Sequence, residues 1–76
     1  MDPNACLDLI LEALANKEFE SADIFASDLI HWLSRGGFAP RRSAEIELNR
    51  AMTDGMEPEN VPRCDELSQM LKESDE

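Results

Sequence analysis

Leu29-Ile30-His31-Trp32-Leu33-Ser34-Arg35-Gly36-Gly37-Phe38-Ala39-Pro40 is the stretch on which the reading of the fold turns. It carries the chain's single Trp, its single His and a Gly pair. The order is that of a helix end, a stop and a return toward the core. With Gly37 as the left-handed residue past the helix, Phe38 falls where a Schellman ending needs its hydrophobic contact, on Leu33. Pro40 then forbids continuation and can open the next helix. Trp32 and Leu33 point inward in this scheme. Trp32→Ala is expected to lower stability by about 3 kcal/mol through the cavity it leaves, and a melt that matches the parent's would remove Trp32 from the core.

Upstream, the spacing predicts a helix from about Ala22 to Arg35. Ala22, Phe25, Ala26, Leu29, Trp32 and Leu33 recur at three/four spacing, with Ile24 and Ile30 on the flanks. Ser21 is its expected N-cap, with Asp23 near the positive end of the dipole. Lys17-Glu18-Phe19-Glu20-Ser21 forms a short polar break before it. A first helix should start at Asp2-Pro3, Asp as N-cap and Pro at the first helical position, and run to Asn16. Its polar residues Asn4, Asp8, Glu12 and Asn16 lie four apart, one narrow stripe on an otherwise apolar cylinder. That is more apolar surface than an ordinary surface helix buries. A connection this short makes the two helices an antiparallel αα-hairpin.

Ala13 to Ala22, followed by Ala26 and Leu29, resembles a single tetratricopeptide hairpin, with Phe19 in the aromatic turn position and Ala22 in the small-residue position. Lys17 stands where that family has a turn Gly, the closing Pro is not at its place, and no second copy follows. Solenoids need about three repeats, so the resemblance implies hairpin geometry and no peptide-binding role. The ending Trp32-Leu33-Ser34-Arg35-Gly36-Gly37-Phe38-Ala39-Pro40 is similar to one seen in small phage and bacterial proteins, and it implies no activity. Together the two resemblances cover residues 9–40.

Downstream, a third helix is predicted from Arg41 or Ser43 to Asp54, with Ala44, Leu48, Ala51 and Met52 on its apolar face and Ile46 off it. Gly55 should end it, with Met56 folding back. Glu57 to Pro62 reads as an acidic connector. A short fourth helix should run from Pro62 to Glu73 with Cys64, Leu67, Met70 and Leu71 on one side, and Ser74 to Glu76 should fray. The expected fold is all-α, a small bundle of three to four helices built on the N-terminal hairpin. Residues 1–76 form one domain, with the core in 3–40 and a weaker half, 41–76, made of an Arg-led helix, the connector and the last helix.

Composition supports this. Few β-branched residues (one Val, four Ile and one Thr) disfavour strands. Seventeen acids against seven bases give −10, which repels nucleic-acid backbone and anionic membrane. The charge is segregated: −6 over residues 1–34, +2 over 35–50 and −6 over 51–76. No apolar run approaches the length of a membrane span and no basic leader precedes one, so a cytoplasmic protein with reduced Cys6 and Cys64 is expected.

Catalysis has little to build on. His31 with Asp28 and Ser34 makes a row along one helix face, and nothing supplies a third group to a Cys–His pair. No ligand spacing suggests a metal, and no cofactor is expected. Arg41, Arg42 and Arg50, after a Gly-containing turn, could form a recognition helix. Glu45 and Glu47 oppose that, and pairing of these Arg with the acidic flanks of the same fold is favoured. The acidic residues could instead mimic phosphate spacing if they converge on one face, or simply keep the domain soluble. The apolar excess of the first helix leaves two outcomes open, closure by the other helices or a homodimer through that helix.

The leading expectation is therefore a small acidic protein–protein interaction module without catalysis, a regulatory or inhibitory protein of phage or mobile-element type. A nucleic-acid-binding regulator is the alternative. Leu7, Leu11, Asp8, Glu12, Arg41, Arg42 and Arg50 are the candidate partner-binding residues.

Overall fold

Asp2 and Pro3 begin the first helix as their chemistry requires. The Asp2 carboxylate accepts from the backbone amides of Asn4 (3.0 Å) and Ala5 (3.4 Å). The computed structural model describes residues 1–53 and 60–74. In them the chain forms α1 (Pro3–Ala15), α2 (Phe19–Ser34), α3 (Ala44–Thr53) and α4 (Pro62–Ser74). The architecture is an all-α bundle, and α1 packs on α2, α2 on α4, α4 on α3 and α3 on α1. The four helices close a ring around one core. The predicted stop after α3, with Asp54, Gly55 and Met56, and the connector Glu57 to Glu59 lie outside the described residues, as do Asp75 and Glu76.

The break between α1 and α2 is shorter than the sequence predicts. Lys17 takes a left-handed conformation with φ 60°. The amide of Lys17 donates to Leu14 O (3.1 Å) and that of Glu18 to Ala13 O (2.8 Å), the paired bonds of a Schellman ending. The chain re-enters helix at Phe19, three residues before the predicted start, and Glu18 precedes it without a side-chain cap. Ser21 is therefore inside α2 and not its cap. Phe19, partly buried against the core, is what the early start brings inward.

The second stop also differs from expectation by one residue. Gly36, with φ 89°, is the left-handed position, and Gly37 follows it. The Gly37 amide donates to Trp32 O (2.9 Å) and the Gly36 amide to Leu33 O (3.1 Å). Phe38 therefore does not clamp Leu33; it is 64% exposed. It meets Trp32 instead, edge to face, with ring centroids 5.6 Å apart. The indole Nε1–H donates to Phe38 O (2.9 Å). A Cβ at Gly37 would overlap the indole ring, so Gly36 is set by backbone conformation and Gly37 by the approach of Trp32. Trp32 is half-buried at the edge of the core, which moves its contribution from cavity filling toward holding this turn.

The core is not confined to residues 3–40. From that half come Cys6, Leu7, Ile10, Ala13, Leu14, Ala22, Ala26 and Leu29, and from the other come Ala44, Leu48, Met52, Val61, Cys64, Leu67 and Leu71. The stripes on α3 and α4 are thin, but ring closure buries most of both, with Ala51 and Met70 left half-buried. The expected faces hold: Ile46 is exposed, and Met70 lies at the edge. On α1, Ala5, Leu9 and Ala15 join the polar stripe outside, so its exposed face is wider than predicted.

Lys17 offers a direct test. A left-handed L-residue costs about 1–2 kcal/mol, and Gly avoids that while adding unfolded-state entropy. Lys17→Gly should raise stability by about 0.5–1 kcal/mol, read as a higher urea midpoint with unchanged slope. An unchanged or lower midpoint would contradict the assigned turn.

Candidate interaction surface

Each of the four helix–helix interfaces carries a polar bond across it. Between α1 and α2, Cys6 Sγ donates to Phe25 O (3.3 Å). Between α2 and α4, Cys64 Sγ lies 3.7 Å from Ala22 O, and the Asp23 carboxylate accepts from the Arg63 amide (2.7 Å). Asp23 thus caps the start of α4 from a neighbouring helix, a role its place near the start of α2 did not suggest. Between α4 and α3, Ser68 Oγ donates to Asn49 Oδ1 (2.6 Å).

The α3–α1 interface is held by Arg41, three residues before α3. The Arg41 amide donates to Asn4 Oδ1 (2.7 Å). Its guanidinium donates to Glu47 through Nε (2.7 Å) and Nη2 (3.0 Å), and to Asp8 through Nη2 (2.9 Å). Ser43 Oγ donates to the same Glu47 carboxylate (2.8 Å). These bonds, from Arg41 first and Ser43 second, hold the Glu47 carboxyl down to about 2. Arg41 is raised in turn, chiefly by its bonds to Glu47 and then Asp8. Arg41, expected as a partner-binding residue, is thereby committed to Asp8 and Glu47 within its own fold.

The other expected residues scatter. Leu7 is fully buried in the core and presents nothing to a partner, because α1 turns it toward the other helices. Leu11 packs on the edge of the core. Glu12, Arg42 and Arg50 are exposed. Both thiols are buried, and burial pushes Cys64 up to about 12, with Asp23 adding to it. Burial, and then Asp28, raises Cys6 as well. Both thiols are thus held in the protonated form and face helix carbonyls, Cys6 that of Phe25 and Cys64 that of Ala22. His31 is exposed.

Described residues line at least two depressions of the surface. The larger, about 460 Å³, is lined by Met1, Asp28, His31, Trp32 and Arg35, with both signs of charge on its walls. The smaller, about 150 Å³, lies between α1 and α2 near their connecting turn, among Leu9, Glu12, Ala13, Asn16, Glu18, Ser21 and Phe25. Leu9 is 46% exposed there, and Phe25 is half-buried. Glu12 and Glu18 supply its charge. Periodicity sets Phe25 on the apolar face of α2 and counts Leu9 in the apolar excess of α1, for which closure and pairing both stay open. The signal for Leu9 was its position about 60° around the helix from Glu12, beside the polar stripe.

Among the described residues, no group of three or more His, Cys, Asp or Glu could hold a metal ion, and no helix is long and apolar enough to cross a membrane. Compared with protein-family models, curated proteins and solved structures, the chain has no match.

The Arg41–Glu47 pair has a defined pH signature. Glu47 titrates lower folded than unfolded, so its contribution is complete above its ordinary range near 4.5 and is lost as pH falls through about 2. In an NMR titration the Glu47 carboxyl should turn over near 2. Arg41→Gln should return it toward the ordinary range and speed amide exchange in α3. An Arg41→Gln protein with an unmoved Glu47 titration would refute the assignment. The pair is partly solvent-facing, so added salt should weaken the effect.

Proposed function

We propose that this chain is a small acidic protein–protein interaction module without catalysis, a regulatory or inhibitory protein of the kind phages and mobile elements encode, acting in the cytoplasm. The observation that carries the reading is the Leu9–Phe25 depression, whose lining combines these two apolar side chains with the acids Glu12 and Glu18. On a domain of net charge −10, such a surface suits a basic segment with an apolar anchor. Complementary charge would steer that encounter, and the anchor would hold it. The similarity of the Trp32–Pro40 ending to small phage and bacterial proteins motivates the proposed source.

The nucleic-acid alternative has less support. Arg41 would have to leave both Asp8 and Glu47 to meet a phosphate. Arg42 and Arg50 would then face polyanion with the whole acidic domain behind them.

Binding of a Lys/Leu amphipathic helical peptide tests the reading by amide chemical shifts. Shifts should centre on Leu9, Glu12 and Phe25, be absent with an acidic peptide of the same apolar pattern, and vanish in Leu9→Glu. Duplex DNA at low salt should leave the Arg41–Arg50 amides unmoved. Peptide binding elsewhere, or DNA shifts confined to Arg41–Arg50, would defeat the proposal.

A further inference from the structure

We propose that this chain associates with itself head to tail, the Arg35–Ala44 loop of one copy seating Phe38 in the Leu9–Phe25 depression of the next. The inference rests on the interaction reading above and names a second copy as an occupant of that site.

The loop has the chemistry the depression lacks. From Arg35 to Ala44 it carries three Arg and no acid. Arg41 is spent within the fold, which leaves Arg35 and Arg42 exposed on either side of Phe38. Phe38 is an aromatic side chain displayed outward at 64% exposure. It is also held there: Trp32 meets its ring edge to face and donates to its carbonyl (2.9 Å). A side chain fixed in the open loses little further freedom on docking. The depression offers Leu9 and Phe25 for the ring, with Glu12 and Glu18 for the two free guanidiniums.

The two surfaces lie at opposite ends of the first hairpin. The depression sits by the Asn16–Glu18 turn. The loop follows α2 and is tied near the start of α1 by the Arg41–Asn4 bond. Sixteen residues of α2 separate the ends, about 24 Å of helix. No copy can fill its own depression, so each contact joins two copies through unlike surfaces. One aromatic anchor and two rim charge pairs make a small interface, so the association is weak.

Sedimentation of the full chain from about 10 μM to about 1 mM tests this. The weight-average mass should rise with concentration. Phe38→Ala, and separately the Glu12→Lys/Glu18→Lys pair, should each weaken association about tenfold or more. Both variants change exposed side chains, and circular dichroism should confirm unchanged helix content. Phe38→Ala keeps an intact depression and the Lys pair keeps an intact loop. An equimolar mixture should therefore form a one-to-one dimer that neither makes alone. A parent that stays monomeric, an association indifferent to Phe38→Ala, or a mixture that stays monomeric would each overturn the proposal. A monomeric parent whose Leu9 and Phe25 still respond to the basic peptide would overturn self-docking and leave the interaction reading standing. A silent peptide titration would remove both.

Discussion

The bundle depends on how closely two helices approach α2. Its inner face is made of Ala22 and Ala26, both with no exposure, and Leu29 one turn on. Against these small residues α1 and α4 come near enough for two thiols to reach its main chain, Cys6 at Phe25 O and Cys64 at Ala22 O. Cys is compact and nonpolar enough to fill such a gap, and a longer side chain from either neighbour would hold the helices apart. One helix thus serves two neighbours on a narrow face. Phe25, Trp32 and Leu33, which periodicity alone sends inward, are left half-covered at the margins, beside the flanking Ile30.

Ring closure explains how a short α3 with a thin stripe holds its place. Ala44, Leu48 and Met52 are its buried side chains, and they touch a core shared with three other helices. Apolar contact of that kind is poorly directional, so register needs another source. It comes from the bonds across each interface, each of modest net value, about 0.5–1.5 kcal/mol, but strict in geometry. Arg41 is the most connected of them. Its amide and guanidinium read the Asn4–Asp8 part of the α1 polar stripe while bracing the first turns of α3 through Glu47.

What the sequence disclosed follows from how local each feature is. Asp2-Pro3 as a helix start is settled by neighbours within four residues, and it was legible. The faces of α3 and α4 were legible too, because their few apolar residues fall on one line. Lys17 was not, since nothing in a Lys side chain announces a left-handed backbone. The Gly pair was misplaced by one residue because a hydrophobic contact was sought for Phe38, whereas the indole of Trp32 covers Gly37. The share of the core in residues 41–76 was underestimated because a thin stripe counts for more when two neighbours cover it. At the candidate site Glu12 was legible as an exposed acid. Leu9 was not, because a division into polar stripe and apolar remainder does not tell which apolar residues the other helices cover.

The acidity of the chain exceeds what the fold uses. Asp2 caps α1, Asp23 caps α4, Asp8 and Glu47 bind Arg41, and Glu66 pairs with Arg63. Glu12, Glu18, Glu20, Asp28, Asp65 and Glu73 are all exposed. Glu20 and Asp65 sit in the first turns of α2 and α4, where a carboxylate suits the helix dipole, but around so small a domain the set also repels itself. Yet Arg35 to Ala44 holds no acid at all, although its surface position would accept one as readily. Solubility alone would be served by an even spread of charge. Segregation along the chain into acidic flanks and one acid-free loop instead sets unlike charges on different surfaces, and unlike charges are what selective electrostatic encounter requires.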